Sequence, residues 1–186
     1  MTDKYEFRDF RPLAERLEYW RNMLDGMGWE SEIHPCMNRD GVLFLEDIGA
    51  DSSGVAGLND GLMYEHELYK SVSVNDRQFL EVSGPKFSRL VDASQYIVMR
   101  LIDRVRHRVG LATVESAFDS AGLDPNVNAD EELHRVALDR DPDVYCLTHR
   151  LAAVPISHLM CMEPSRLDAL LADGLADAIG AWRQSS

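Results

Sequence analysis

From Lys86 to Val109 the apolar residues fall at steps of three and four: Phe87, Leu90, Val91, Ile97, Val98, Leu101, Ile102, Val105 and Val109. That spacing places them on one stripe of an α-helix. Pro85 suits a first helical turn, where a missing N–H costs nothing, and Gly110 suits the stop. At about 1.5 Å per residue the helix would run about 36 Å. Burying these side chains yields on the order of 15–20 kcal/mol of transfer free energy before chain entropy is subtracted. No other segment promises as much, so the rest of the chain is expected to pack around it.

Upstream, residues 9–27 read as a helix. Asp9 is its cap, Pro12 lies in its first turn, and Leu13, Leu17, Trp20, Leu24 and Met27 form its stripe. Four strand-like segments follow, at 29–37, 41–48, 62–74 and 77–82. Asn38-Arg39-Asp40-Gly41 and Asn75-Asp76 are their turn signals. Residues 49–61 carry four glycines with serines and acids, and read as an exposed connection. Beyond Gly110, residues 114–121 and 131–138 read as short helices, with Asp130 capping the second. Asp124-Pro125 and residues 126–128 read as a turn, and Asp141-Pro142 as a break. Residues 144–149 fit a fifth strand or a helical turn. Residues 151–162 are apolar and interrupted by Pro155, and 165–182 form a closing helix. Strands grouped before helices predict one α+β domain over residues 1–186. Its antiparallel sheet of four to five strands is packed by a long central helix and flanking helices.

The chain has 186 residues, 45% of them hydrophobic, enough for a real core. Its net charge is −13, from 32 acids against 19 bases. That excess argues against a nucleic-acid binder, which needs a basic face, and against docking on anionic lipid. It favours a basic protein partner or plain solubility. No apolar run approaches the roughly 20 residues of a membrane span, and the first residues lack the features of a signal peptide. A cytoplasmic protein is expected. Cys36, Cys146 and Cys161 are too few, and odd in number, for a disulfide framework.

Candidate chemistry is sparse. Cys146-x-x-His149 and His158-x-x-Cys161 offer two Cys and two His, a set that suits tetrahedral zinc. The apolar residues between them favour a core reading, because cysteine is commonly a small buried hydrophobe. His34-Pro35-Cys36 would bring a thiol and an imidazole to one strand face, but no nucleophile elbow accompanies it. Glu65-His66-Glu67 sets two carboxylates on one face of a strand, which alternation on a wet sheet face also explains. Arg100, Arg104, Arg106, His107 and Arg108 crowd the end of the long helix. The helix dipole accounts for them better than a phosphate site does, and Asp103 is placed to pair with His107. There is no P-loop and no G-x-G-x-x-G.

Two segments resemble a known family. Asp92-Ala93-Ser94-Gln95-Tyr96-Ile97-Val98, running on to Val105-Arg106-His107-Arg108-Val109-Gly110-Leu111, forms the first. It is similar to the helix ending in an Ile/Val-Arg-x-x-x-Gly-Leu run in immunity proteins of the tuberculosis necrotizing toxin type. Val154-Pro155-Ile156-Ser157-His158-Leu159-Met160, followed by residues 164–171, resembles that family's Ser-His-Leu segment and closing helix. Residues 115–143 have no counterpart in that pattern. The resemblance implies an antitoxin-like inhibitor whose partner is an NAD(P) glycohydrolase toxin, plugged at its active site in the cytosol. It implies an inhibitor with no catalysis and no cofactor, and it offers a non-metal reading of His158, as a structural residue, beside the zinc reading of Cys146, His149, His158 and Cys161.

From Asp40 to Glu67 there are seven acids and no Lys or Arg. A long acidic connection can speed encounter with a basic rim. Asp47, Asp51 and Asp60, with Tyr64 and Tyr69 as aromatic anchors, are therefore the expected partner-binding residues. The rival readings are a small metal- or Cys/His-dependent enzyme and an acidic mimic of nucleic acid.

Overall fold

Pro12 opens the first helix and the backbone turns out of it at Gly28, whose φ of 81° lies in the left-handed region. In this computed structural model the residues described are 10–30, 33–37, 43–47, 59–74, 80–82 and 84–185. They belong to two compact units, Met1–Gly84 and Pro85–Ser186.

The N-terminal unit holds helix α1, Arg11–Gly26. Its expected stripe of Leu13, Leu17, Trp20 and Leu24 is buried, and Met27 follows at the C-cap, half-buried. Asp9, the expected cap, lies outside the described residues. Phe10 stands at the N-cap and makes no side-chain cap bond. Five antiparallel strands follow: β1 Ile33–Met37, β2 Leu43–Asp47, β3 Asn59–Glu65, β4 Leu68–Val74 and β5 Leu80–Glu81, each paired with the next. Leu43↔Met37 closes the first hairpin, and Val74↔Leu80 pairs β4 with β5 across residues 75–79. The expected single stretch 62–74 is instead two strands. The chain reverses at His66 and Glu67, whose φ values are 50° and 63°. Two left-handed residues in a row match the twist of a tight hairpin, a place that usually takes Asn-Gly. Residues 59–61 of the expected connection form the start of β3. Residues 49–58 lie outside the described residues.

In the C-terminal unit the chain begins as a strand. Lys86 and Phe87 form β6, paired with Leu147 and Cys146 of the later strand Asp141–Leu147. The expected first helical turn after Pro85 is therefore extended backbone. Fully buried Phe87 packs as a sheet residue, its ring 5.6 Å from that of Tyr96. Helix α2 then runs Leu90–Arg108, about 28 Å at about 1.5 Å per residue. Residues 92–99 are buried without interruption, so α2 has no wet side there. Its neighbours within its own unit are β6 and the helices Val114–Ala121, Arg150–Cys161 and Pro164–Ala172.

Helix α3, Val114–Ala121, keeps its expected bounds; the Thr113 hydroxyl accepts the Ser116 N–H at 3.2 Å. The expected helix 131–138 is replaced by a hairpin of β7, Val127–Ala129, and β8, Arg135–Leu138. Asp130 closes the hairpin turn, its carboxylate accepting the His134 N–H at 2.6 Å. Strand β9, Asp141–Leu147, resolves the open reading of 144–149 in favour of a strand. Pro142 sits near its start, where a missing N–H is tolerated. The order within this unit is β6-β9-β8-β7, antiparallel throughout.

Helix α4, Arg150–Cys161, contains Pro155. The expected closing helix is broken at Asp173–Gly174 into α5, Pro164–Ala172, and α6, Leu175–Ser185, where Gly174 adopts φ 69°. Of its expected stripe, Leu167, Leu171, Leu175 and Ile179 are fully buried across the break, while Leu170 is exposed and Trp182 half-buried. The fold is α+β, with nine strands among the described residues where four to five were expected. No helix among them is long and apolar enough to cross a membrane.

Candidate protein-interaction face

Charge is unevenly divided. Residues 1–84 carry 17 acids against 8 bases, which is −9 of the total −13. Within the stretch 40–67, Glu46 and Asp47 lie on β2, Asp60 and Glu65 on β3, and Glu67 in the turn after it. Asp40 and Asp51 fall outside the described residues.

The register separates the expected partner-binding residues into two groups. Asp47 pairs with Ile33, and Asp60 with Ser73. Because β2 and β3 are antiparallel, the end of β2 and the start of β3 lie at the same end of the sheet. Tyr64 is four residues further along β3, about 13 Å away at about 3.3 Å per residue. It pairs directly with Tyr69 at the hairpin end. The two rings lie 4.8 Å apart, tilted by 53°, and Tyr69 also meets Phe10 edge-on at 6.3 Å. Both tyrosines are half-buried. Tyr69 therefore braces the hairpin against Phe10 at the start of α1, and both tyrosines are only partly exposed.

The turn itself is acidic and tethered. The Lys70 ammonium donates to Glu65 Oε2 at 2.6 Å, and this bond holds the Glu65 carboxyl below its ordinary range. His66 Nδ1 lies 3.5 Å from the same oxygen, with its side chain 82% exposed. The expected pair of carboxylates on one strand face is therefore not formed. Glu65 closes β3, while Glu67 occupies the turn and is exposed.

The Cys/His candidates do not converge. Cys146 is buried in β9 opposite Phe87 and Val136, and burial pushes its thiol far up. His149 is exposed just before α4. On α4, the His158 ring stacks on Phe118 at 4.7 Å, and its Nε2–H donates to the Gly122 carbonyl at 2.7 Å. Its Nδ1 stands 3.7 Å from Asp124 Oδ2. The Cys161 thiol is pushed up to about 12, by burial first and then by the Asp124 carboxylate beside it. A nucleophilic cysteine needs the opposite shift. Among the described residues no group of three or more His, Cys, Asp or Glu is placed to hold a metal ion. His34 and Cys36 lie on β1, paired with Glu46 and Phe44.

The arginine cluster at the end of α2 is not an open anion site at Arg106. That side chain is buried, donating to the carbonyls of Ala112 at 3.0 Å, Leu171 at 2.9 Å and Asp173 at 2.8 Å. It ties the end of α5 to α2. Asp103 does not serve His107. It accepts the N–H groups of Val114 at 2.8 Å and Glu115 at 2.9 Å, capping α3, with Arg106 Nε 3.8 Å away. Burial raises the Asp103 carboxyl against those hydrogen bonds.

Both family-like segments are thus joints. In Val105-Arg106-His107-Arg108-Val109-Gly110-Leu111, the Leu111 N–H returns to the Arg106 carbonyl at 2.8 Å, with Gly110 at φ 80°. In Ser157-His158-Leu159, the Ser157 hydroxyl accepts the Asp124 N–H at 2.9 Å and donates to Val154 at 2.7 Å, and Leu159 is fully buried. Gln95, Asp103 and Ser157 were not anticipated as joints. The one hint in the sequence was a polar residue set among apolar ones, where an unsatisfied group would be costly. Compared with protein-family models, with curated proteins and with solved structures, the chain matches none.

Proposed function

We propose that the chain is a cytosolic immunity-type protein that binds a cognate toxin domain, an NAD(P) glycohydrolase, and blocks its active site without chemistry of its own. The observation that carries this reading is the acidity of the N-terminal unit. From residue 40 to residue 67 it has seven acids and no Lys or Arg, and the next base, Lys70, is bound to Glu65. An enzyme that takes a dinucleotide holds its phosphates with basic groups, so an acidic sheet end is complementary to the rim of such a site. The resemblance of residues 92–111 and 154–171 to the immunity family supports the same choice of partner. Asp47, Asp51 and Asp60 steer the encounter, and the Tyr64–Tyr69 hairpin end supplies the aromatic part of the contact.

The test is co-expression with an NAD(P) glycohydrolase toxin domain, the product of the adjacent open reading frame being the first to try. Cells carrying both should keep their NAD and grow, and cells carrying the toxin alone should lose it. The purified chain should then suppress NAD hydrolysis at a one-to-one ratio. Loss of NAD at the same rate with and without the chain would sink the proposal. Capture of a DNA-binding protein instead would replace it with the nucleic-acid mimic.

A further inference from the structure

We draw no further inference here: the strongest candidate, the cluster of Asp124, His158 and Cys161 where the end of α3 meets α4, belongs to the packing of that joint already described, its imidazole engaged by the Gly122 carbonyl and its thiol by the Asp124 carboxylate.

Discussion

The two units use polar residues in opposite ways. The N-terminal unit carries them as net charge, −9 over 84 residues, and holds its β3–β4 turn with two non-glycine residues in the left-handed region. The C-terminal unit turns polar residues inward. Asp92, Gln95, Asp103, Arg106 and Ser157 are all buried; Asp92 pairs with Arg89, and the other four make hydrogen bonds that join one element to another or close a helix end. Among the described residues, Gln95 Oε1 is the buried side-chain N or O without a partner. Buried networks of this kind fix which helix meets which, whereas surface charge fixes what the protein meets. A unit that presents charge and a unit that specifies packing should respond to different mutations.

The largest response is expected at Arg106. Arg106→Ala strips four carbonyls, those of Ala112, Leu170, Leu171 and Asp173, of their donor and leaves Asp103 buried with weaker compensation. Removing one member of such a set costs about 3–5 kcal/mol. Urea denaturation should register that loss, while toxin association by folded protein should keep its rate. An Arg106→Ala protein as stable as the parent would mean that the inward network is ornamental. Gln95→Leu comes next. It frees the carbonyls of Leu159 and Met162 but also removes the orphaned Oε1, so the expected loss is about 1–2 kcal/mol, below that at Arg106.

The outward unit is tested by Asp47→Asn, Asp51→Asn and Asp60→Asn together. Stability should change by no more than about 0.5 kcal/mol. Association with the proposed toxin partner at low salt should slow by roughly tenfold, and the difference should shrink at high salt. If the rate is unchanged at low salt, these acids do not steer. At the turn, His66→Asn with Glu67→Gly should stabilise the hairpin by about 1 kcal/mol, because both replacements tolerate positive φ. Thermal melting checks the sign.

Legibility follows the same division. Stripes at helical spacing were readable where one side of an element is buried, as in α1 and in the Leu167–Ile179 run. The reading failed at residues 131–138, where Val136, Ala137 and Leu138 are all buried and periodicity cannot separate a strand from a helix. Asp130 looked like a helix cap and instead closes a hairpin, since the same side-chain-to-N–H bond serves both. Asp103 capping a helix that begins at Val114 was beyond local reading, because its partner lies outside its own helix. At the candidate face, the acid density was plain in the sequence. The separation of Asp60 from Tyr64, and the packing of Tyr69 on Phe10, depend on register and on α1. No spacing rule supplies either.

The smallest effect distinguishes the units by salt. Each contains a carboxyl held below its ordinary range. For Glu65 the leading cause is the bond from Lys70, with a side chain 35% exposed to solvent. For Asp124, burial pushes upward but is outweighed by the N–H and side-chain amide of Asn126, then by the Cys161 thiol and His158. In both cases the folded value is depressed. The stabilisation is therefore complete above the unfolded carboxyl pKa and is lost as pH falls through the folded one. The Glu65 contribution should be screened, because its ion pair meets water. Carboxyl NMR titrations at low and high salt should show the Glu65 midpoint rising toward its ordinary value with salt. The Asp124 midpoint should move little, because short hydrogen bonds at 2.9 Å set it. Equal salt shifts at the two sites would erase the distinction between a charge displayed to solvent and a charge held by the fold.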